Sequence, residues 1–309
     1  MSHMSIPQER PPLSEGANIG GRGAPKPASQ FLIYCDHFGL SCRPFSLLPD
    51  PDFLFWSSNH SRTYAMLEYG LATFAPITVI TGEVGAGKTT LIRHLLRDVA
   101  QDLRIGLVSN AHGERGQLLH WVLASLHQRV DEWSPYVSRF ASFEALLRAE
   151  AAEGRHTVLI IDEAQNLSER MLEELRCYSN LNCEGSELLQ IILVGQPDLL
   201  QVIGRPRMQQ FMQRVSARFH LAALPLEAVH QYVGHRLKMA GASRAIFTAE
   251  ACDLVFEASR GVPRIINQIC DYGLVYAFAE GAEAVGAEII AKVVEDLRIQ
   301  IAATTPRAR

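Results

Sequence analysis

The sequence predicts an α/β domain, with a parallel sheet flanked by helices on both faces, followed by a small all-α lid domain. Three observations predict it. A glycine loop ending in Gly-Lys-Thr joins a β-branched apolar run to a helical period. Further wholly apolar runs alternate with helical stretches, and from Pro225 onward the periodicity is helical alone. Wholly apolar strands between helices indicate a parallel sheet buried on both sides. A chain of 309 residues has room for one large domain and one smaller one. The expected division is a disordered arm over 1–30, the α/β domain with its N-terminal linker over 31–224, the helical lid over 225–302 and a flexible tail over 303–309.

In chain order, residues 1–30 are rich in Pro, Gly, Ser and Arg and poor in large apolar side chains, the composition of an arm without a core. From Tyr34 to Ser58 aromatics and prolines alternate, which favours an irregular segment packed on a domain through its rings. Phe38, Pro44 and Phe45 are its candidates for contacting a nucleotide base. A helix capped within Ser57 to Asn59 then runs through Tyr64, Leu67 and Leu71.

The run Pro76–Thr81 reads as a buried strand, and Leu91, Ile92, Leu95, Leu96 and Val99 recur at helical spacing. Between them lies Gly82-Glu83-Val84-Gly85-Ala86-Gly87-Lys88-Thr89, followed by Thr90. Glycines at this spacing let backbone N–H groups and a helix N-terminus point at phosphate oxygens. Lys88 is placed to reach the outer phosphates of a nucleoside triphosphate, and the Thr89 hydroxyl to ligate Mg²⁺. The loop therefore predicts a nucleoside triphosphate and Mg²⁺ as ligands, on a parallel sheet of the P-loop NTPase kind.

Arg104–Asn110 reads as a second strand, with helical periods over Gln117–Gln128 and Ser142–Ala152. The apolar run Thr157–Ile161 ends in Asp162-Glu163. An acid at such a strand end holds Mg²⁺, and the adjacent carboxylate orients and deprotonates the attacking water, so Asp162 is assigned to metal and Glu163 to the general base. Ser168 caps a helix through Leu181. Leu188–Val194 is a further buried strand, whose end places Gln196 at the carboxyl edge of the sheet, where ligands bind. The stretch from Arg205 to Arg218 is basic, and Arg218 is read as directly preceding an apolar strand, FHLAAL, with Arg214 close behind as a second candidate. An arginine there would project into a neighbouring subunit's nucleotide. Beyond Pro225, helices are expected over Leu226–Met239, Ala249–Ser259, Pro263–Phe278 and Ala287–Ile301, with Arg264 at a helix start facing whatever lies against the lid.

Composition narrows the class. The content is 48% hydrophobic and 20% charged with a net charge of −4, which argues against a strongly basic nucleic-acid protein while leaving a local basic face possible. No run of eighteen apolar residues and no signal peptide is found. Six cysteines form no C-x-x-C pair, and Cys35, His37 and Cys42 fit no common zinc spacing, so a reducing cytoplasm is the expected compartment.

These pieces in this order resemble an AAA+ ATPase. More narrowly, RPFSLLPDPDFLFWSSNH, ITGEVGAGKTTLIRHLL, IIDEAQNL, ILVGQPDL, RVSARFHL and GVPRIINQIC look like the secretion ATPases of the ExeA (GspA) type, over roughly Tyr34 to Asp271. The resemblance implies that the triphosphate is ATP, its hydrolysis by a homo-oligomeric ring or filament, and a sheet of order 5-1-4-3-2. It implies Gln196 as a first sensor, Arg218 as an arginine finger, Arg264 as a second sensor, and Asn110 as a restraint on Glu163. It also implies a membrane or envelope protein partner in a secretion or exopolysaccharide export system, with peripheral attachment at the inner membrane. Longer members of that group continue into a membrane helix, so membrane work is expected to need a partner. The transposition ATPases of the TniB, TnsC and MuB kind share the same core, which makes duplex DNA the alternative ligand.

Overall fold

The computed structural model describes residues 34–304 apart from 49, 100–102, 110–116, 130–133 and 183–187. The 1–30 arm, Asn110 and the residues after 304 lie outside the described residues.

Helix α1 (Cys35–Phe38) and a short 3-10 turn lead to α2 (Ser58–Ala72), whose N-cap Ser57 accepts the His60 N–H. The α/β domain then runs β1 (Ile77–Gly82), α3 (Lys88–Val99), β2 (Leu103–Ser109), α4 (Gln117–Ser125), α5 (Tyr136–Ala152), β3 (His156–Asp162) and α6 (Glu169–Ser179). It closes with β4 (Leu189–Gly195), α7 (Asp198–Ile203), α8 (Gln209–Arg214) and β5 (Val215–Leu221). The lid comprises α9 (Leu226–Met239), α10 (Ala249–Ser259), α11 (Pro263–Ala279) and α12 (Ala287–Thr304). Its last helix thus extends two residues into the stretch expected to be a tail.

The sheet is five-stranded and wholly parallel, in the order β2-β3-β4-β1-β5, which is the expected 5-1-4-3-2 read from the other edge. The period of two sorts its side chains cleanly. Ile77, Val79, Leu159, Ile161, Ile191 and Leu193 pack on one face with α4, α5 and α6. Ile80, Val158, Ile160, Ile192 and Val194 pack on the other with Leu67 of α2 and Leu91, Ile92 and Leu95 of α3. The carboxyl ends of β1, β3 and β4 consequently open on one edge, where parallel α/β sheets bind ligands.

Two expectations are corrected. Strand β5 begins at Val215, earlier than FHLAAL implied, so Arg218 lies inside the strand, opposite Val79, and Arg214 is the residue at its entry. The physical reason is that β5 is an edge strand. Its residues alternate between half-buried and exposed as far as His220, so polar Ser216, Arg218 and His220 are tolerated where an interior strand would be apolar throughout.

The N-terminal linker was grouped with the α/β domain, yet Tyr34, Cys35, Phe38, Leu40 and Phe45 are buried in the lid's core with Tyr232, Val233, Ile266 and Cys270. Polar bonds secure it there. Tyr34 and Arg43 both bond Asp271, Arg236 Nε donates to the Pro44 carbonyl at 2.6 Å, and Asn267 Nδ2 donates to the Ser46 carbonyl at 3.3 Å. Arg236 is itself buried, with its guanidinium 4.8 Å from the Phe53 ring centroid.

Candidate active site

The loop from Gly82 to Lys88 connects β1 to α3, and its glycines do what the spacing required. Gly85 and Gly87 sit at φ 82° and 96°, in the left-handed region that a Cβ disfavours. Gly85 has a second reason. A Cβ there would lie 2.3 Å from the Cβ of Arg264, because the lid rests directly on the loop. Val262 is the N-cap of α11 and Pro263 its first residue, so the Arg264 N–H has no partner inside its own helix; it donates to the Gly85 carbonyl at 3.2 Å.

Lys88 is buried, and its Nζ donates to the carbonyls of Gly82 at 2.7 Å and Glu83 at 2.9 Å. Burial lowers its pKa, opposed by the negative charges of Glu163, Asp162 and Glu83. A buried ammonium held by carbonyl dipoles beside a glycine cradle is a seat for an anion. Thr89 Oγ1 donates to Asp162 Oδ2 at 3.0 Å, while Asp162 Oδ1 accepts the Glu163 N–H at 2.9 Å. A hydroxyl and a carboxylate oxygen in contact are the hard donors that Mg²⁺ takes, so these residues fit the metal. Glu163 stands at φ 54°, a left-handed conformation unusual for a glutamate.

One cleft gathers Val84, Gly85, Gly87, Lys88, Thr89 and Thr90 of the loop, Glu163 from the end of β3, Gln196 from the end of β4 and Arg264 from the lid. Gly82, Glu83 and Asp162 stand behind this surface, in contact with it through the bonds above, and Ala86 is buried in the loop with its N–H donating to the Glu83 carbonyl at 3.1 Å. The remaining wall is formed by the linker, through Ser46, Leu47, Leu48, Asp50, Phe53, Leu54 and Phe55, and by Tyr232, Arg236 and Asn267 of the lid. The base-side candidates are corrected accordingly. Phe38 and Phe45 are spent on the lid core, and Pro44 on Arg236, while the segment just after them faces the cleft. Arg214 and Arg218 do not line it; both are exposed near the β5 edge.

Sequence reasoning missed two residues. His60, 4% exposed, lines the cleft from below the loop, with Nε2 3.2 Å from where a Gly87 Cβ would sit. Ser57 Oγ accepts the His60 N–H at 3.2 Å and lies 2.7 Å from its Nδ1, so the hydroxyl proton is free to go to Nδ1. The ring is then neutral with its proton on Nε2, facing the loop, and burial lowers its pKa in agreement. The second is Gln165, whose side chain joins Glu163 to the Gln196 backbone. A polar residue two places after the acidic pair was the available signal for it.

Residues 73–203 match the AAA domain family. The chain is 38% identical over 253 residues to the General secretion pathway protein A of Aeromonas hydrophila, an alignment covering 82% of this chain and 46% of that protein. The chain thus spans about half the length of that relative. Among solved structures, Cdc6p from Pyrobaculum aerophilum aligns with TM-score 0.64 at 15% identity, over 81% of this chain and 71% of the other. The Thermotoga maritima RuvB Holliday junction branch migration motor aligns with TM-score 0.52 at 17% identity, over 82% and 73%. At these identities the two structures bear on the fold alone.

Proposed function

Since this chain carries an AAA domain of the ExeA/GspA type, we propose that it is a Mg²⁺-dependent ATPase working as a homo-oligomer at a bacterial envelope export system. The observation that carries the catalytic part is the convergence of Lys88, Thr89, Glu163, Gln196 and Arg264 on one cleft, with Asp162 bonded to Thr89 behind it. Lys88 and the loop N–H groups bind the β- and γ-phosphates; Gln196 and Arg264 contact the γ-phosphate from the sheet and from the lid. Glu163 takes a proton from water as the water oxygen bonds to the γ-phosphorus, and the bond from that phosphorus to the β–γ bridging oxygen breaks, with ADP leaving. Thr89 and Asp162 would hold Mg²⁺, which when bound would neutralise charge on the phosphate oxygens. Asn110, expected to restrain Glu163, retains that role as part of the proposal.

A neighbouring subunit would complete the site with an arginine. The logic that selected an arginine at the entry to β5 now favours Arg214 over Arg218. The export role is supported by the similarity to General secretion pathway protein A, and a membrane or envelope partner would bring the protein to the inner membrane. Among the described residues no helix is long and apolar enough to cross a membrane.

The alternative, a duplex-DNA-dependent regulator, draws on exposed Arg207, Arg214 and Arg218; Arg205 is paired with Glu169 at 2.7 Å. Steady-state ATP hydrolysis against protein concentration, with and without duplex DNA at two salt concentrations, separates the readings. A rate that rises with protein concentration and ignores DNA supports the envelope ATPase, whereas strong salt-sensitive stimulation by DNA selects the regulator.

A further inference from the structure

Gln165 lies in the single 3-10 turn Ala164–Asn166 that follows Glu163. Its Oε1 accepts the backbone N–H of Gln196 at 3.0 Å, and its Nε2 donates to Glu163 Oε2 at 2.5 Å. These two bonds fix the orientation of the amide. A backbone N–H can only donate, so the amide oxygen must face Gln196 and the NH₂ must face the carboxylate.

The chain leaves room for this contact. A Cβ at Gly195 would stand 3.0 Å from Gln165 Oε1 and 3.3 Å from its backbone nitrogen, tighter than most side chains tolerate. Glu163 is meanwhile held at φ 54°, a conformation that persists where the surroundings impose it. One side chain therefore ties the end of β3 to the end of β4, and the residue at each end lines the cleft.

We infer that Gln165 is a positioning residue for hydrolysis, fixing the Glu163 carboxylate relative to Gln196 so that the base and the phosphate-contacting residue move as one unit. This rests on the reading of the cleft as an ATPase site. Charged groups near the carboxylate are Lys88 of α3 and Asp162 of β3, and neither replaces the amide, because Lys88 bonds the loop carbonyls here and takes phosphate in the proposed reaction, while Asp162, a carboxylate, has no proton to donate. A hydrogen bond to a charged group held in the transition state is worth about ten-fold or more in rate.

The test compares kcat, KM for ATP and melting temperature for the full chain and for Gln165→Ala and Gln165→Glu. Gln165→Ala should lower kcat about ten-fold with KM for ATP nearly unchanged. Gln165→Glu keeps an acceptor for the Gln196 N–H but loses the donor to Glu163 and sets a second carboxylate beside it, so its kcat should fall at least as far. Wild-type kcat in Gln165→Glu, or a loss in Gln165→Ala confined to KM and melting temperature, overturns the inference while leaving the ATPase reading intact. A wild-type protein whose phosphate release is unchanged by Lys88→Ala brings down the ATPase reading, and the inference with it.

Discussion

The contact between the lid and the phosphate loop makes Gly85→Ala the most informative substitution away from the reacting groups. Alanine at φ 82° costs about 1–2 kcal/mol for a left-handed L-residue. Its Cβ would also meet Arg264 Cβ at 2.3 Å, so either the loop or α11 must move. Movement breaks the Arg264 N–H bond to the Gly85 carbonyl, a further loss of about 1 kcal/mol. Binding nucleotide requires the loop and α11 back in this arrangement, so restoring it would take up to the whole sum, about 2–3 kcal/mol, a loss of up to about 30- to 150-fold in nucleotide affinity. The assay is titration with a fluorescent ATP analogue, alongside thermal melting. Gly281→Ala is the control, because Gly281 also has positive φ, at 68°, but nothing lies within 4 Å of an added Cβ. It should lose stability from the backbone strain and keep full affinity. If Gly85→Ala bound nucleotide as tightly as Gly281→Ala, the lid would not be seated on the loop and the two-sided cleft would be wrong.

Asp162→Asn weakens the metal-side oxygen pair with Thr89, so the Mg²⁺ concentration giving half-maximal turnover should rise about ten-fold; an unchanged Mg²⁺ titration would remove Asp162 from that role. Arg214→Ala should abolish the rise of turnover with protein concentration, lowering assembled activity by about 10³, with monomer nucleotide binding intact. Arg218→Ala measured in parallel should be milder, and the reverse ranking would restore the mid-strand arginine. His60 is neutral in the fold, and burial lowers its pKa, whereas in the unfolded chain it protonates near pH 6.5. The unfolded state therefore binds more protons, and stability falls as pH drops below about 6.5, by up to about 1.4 kcal/mol per pH unit until the folded-state value is passed. His60→Gln should flatten that slope in melting temperature against pH, leaving the part due to His235, whose pKa burial also lowers.

Much of the site was legible because its chemistry is local in sequence. The loop needs glycines beside a lysine and a threonine, and Asp162-Glu163 is visible as two acids ending a wholly apolar run. Interior strands β1, β3 and β4 announce themselves through burial on both faces. The edge strand β5 does not, since its half-buried alternation admits the arginines that made its start ambiguous. The linker's aromatics were equally visible, but which domain they pack on is decided by partners about two hundred residues away, such as Asp271 and Arg236. His60 and Gln165 escaped for the same reason. A helix histidine and a turn glutamine carry no signal of their own until folding sets one beneath Gly87 and the other between β3 and β4.

The central claim, that this cleft hydrolyses ATP with Glu163 as the base, is tested most directly by Glu163→Gln. The substitution keeps shape and hydrogen-bonding capacity while removing the group that accepts the proton. Phosphate release and ATP-analogue binding measured on the same preparation should show turnover reduced by about 10² or more with binding preserved. Turnover at the wild-type rate would contradict the account, because the proton would then be leaving the attacking water by another route.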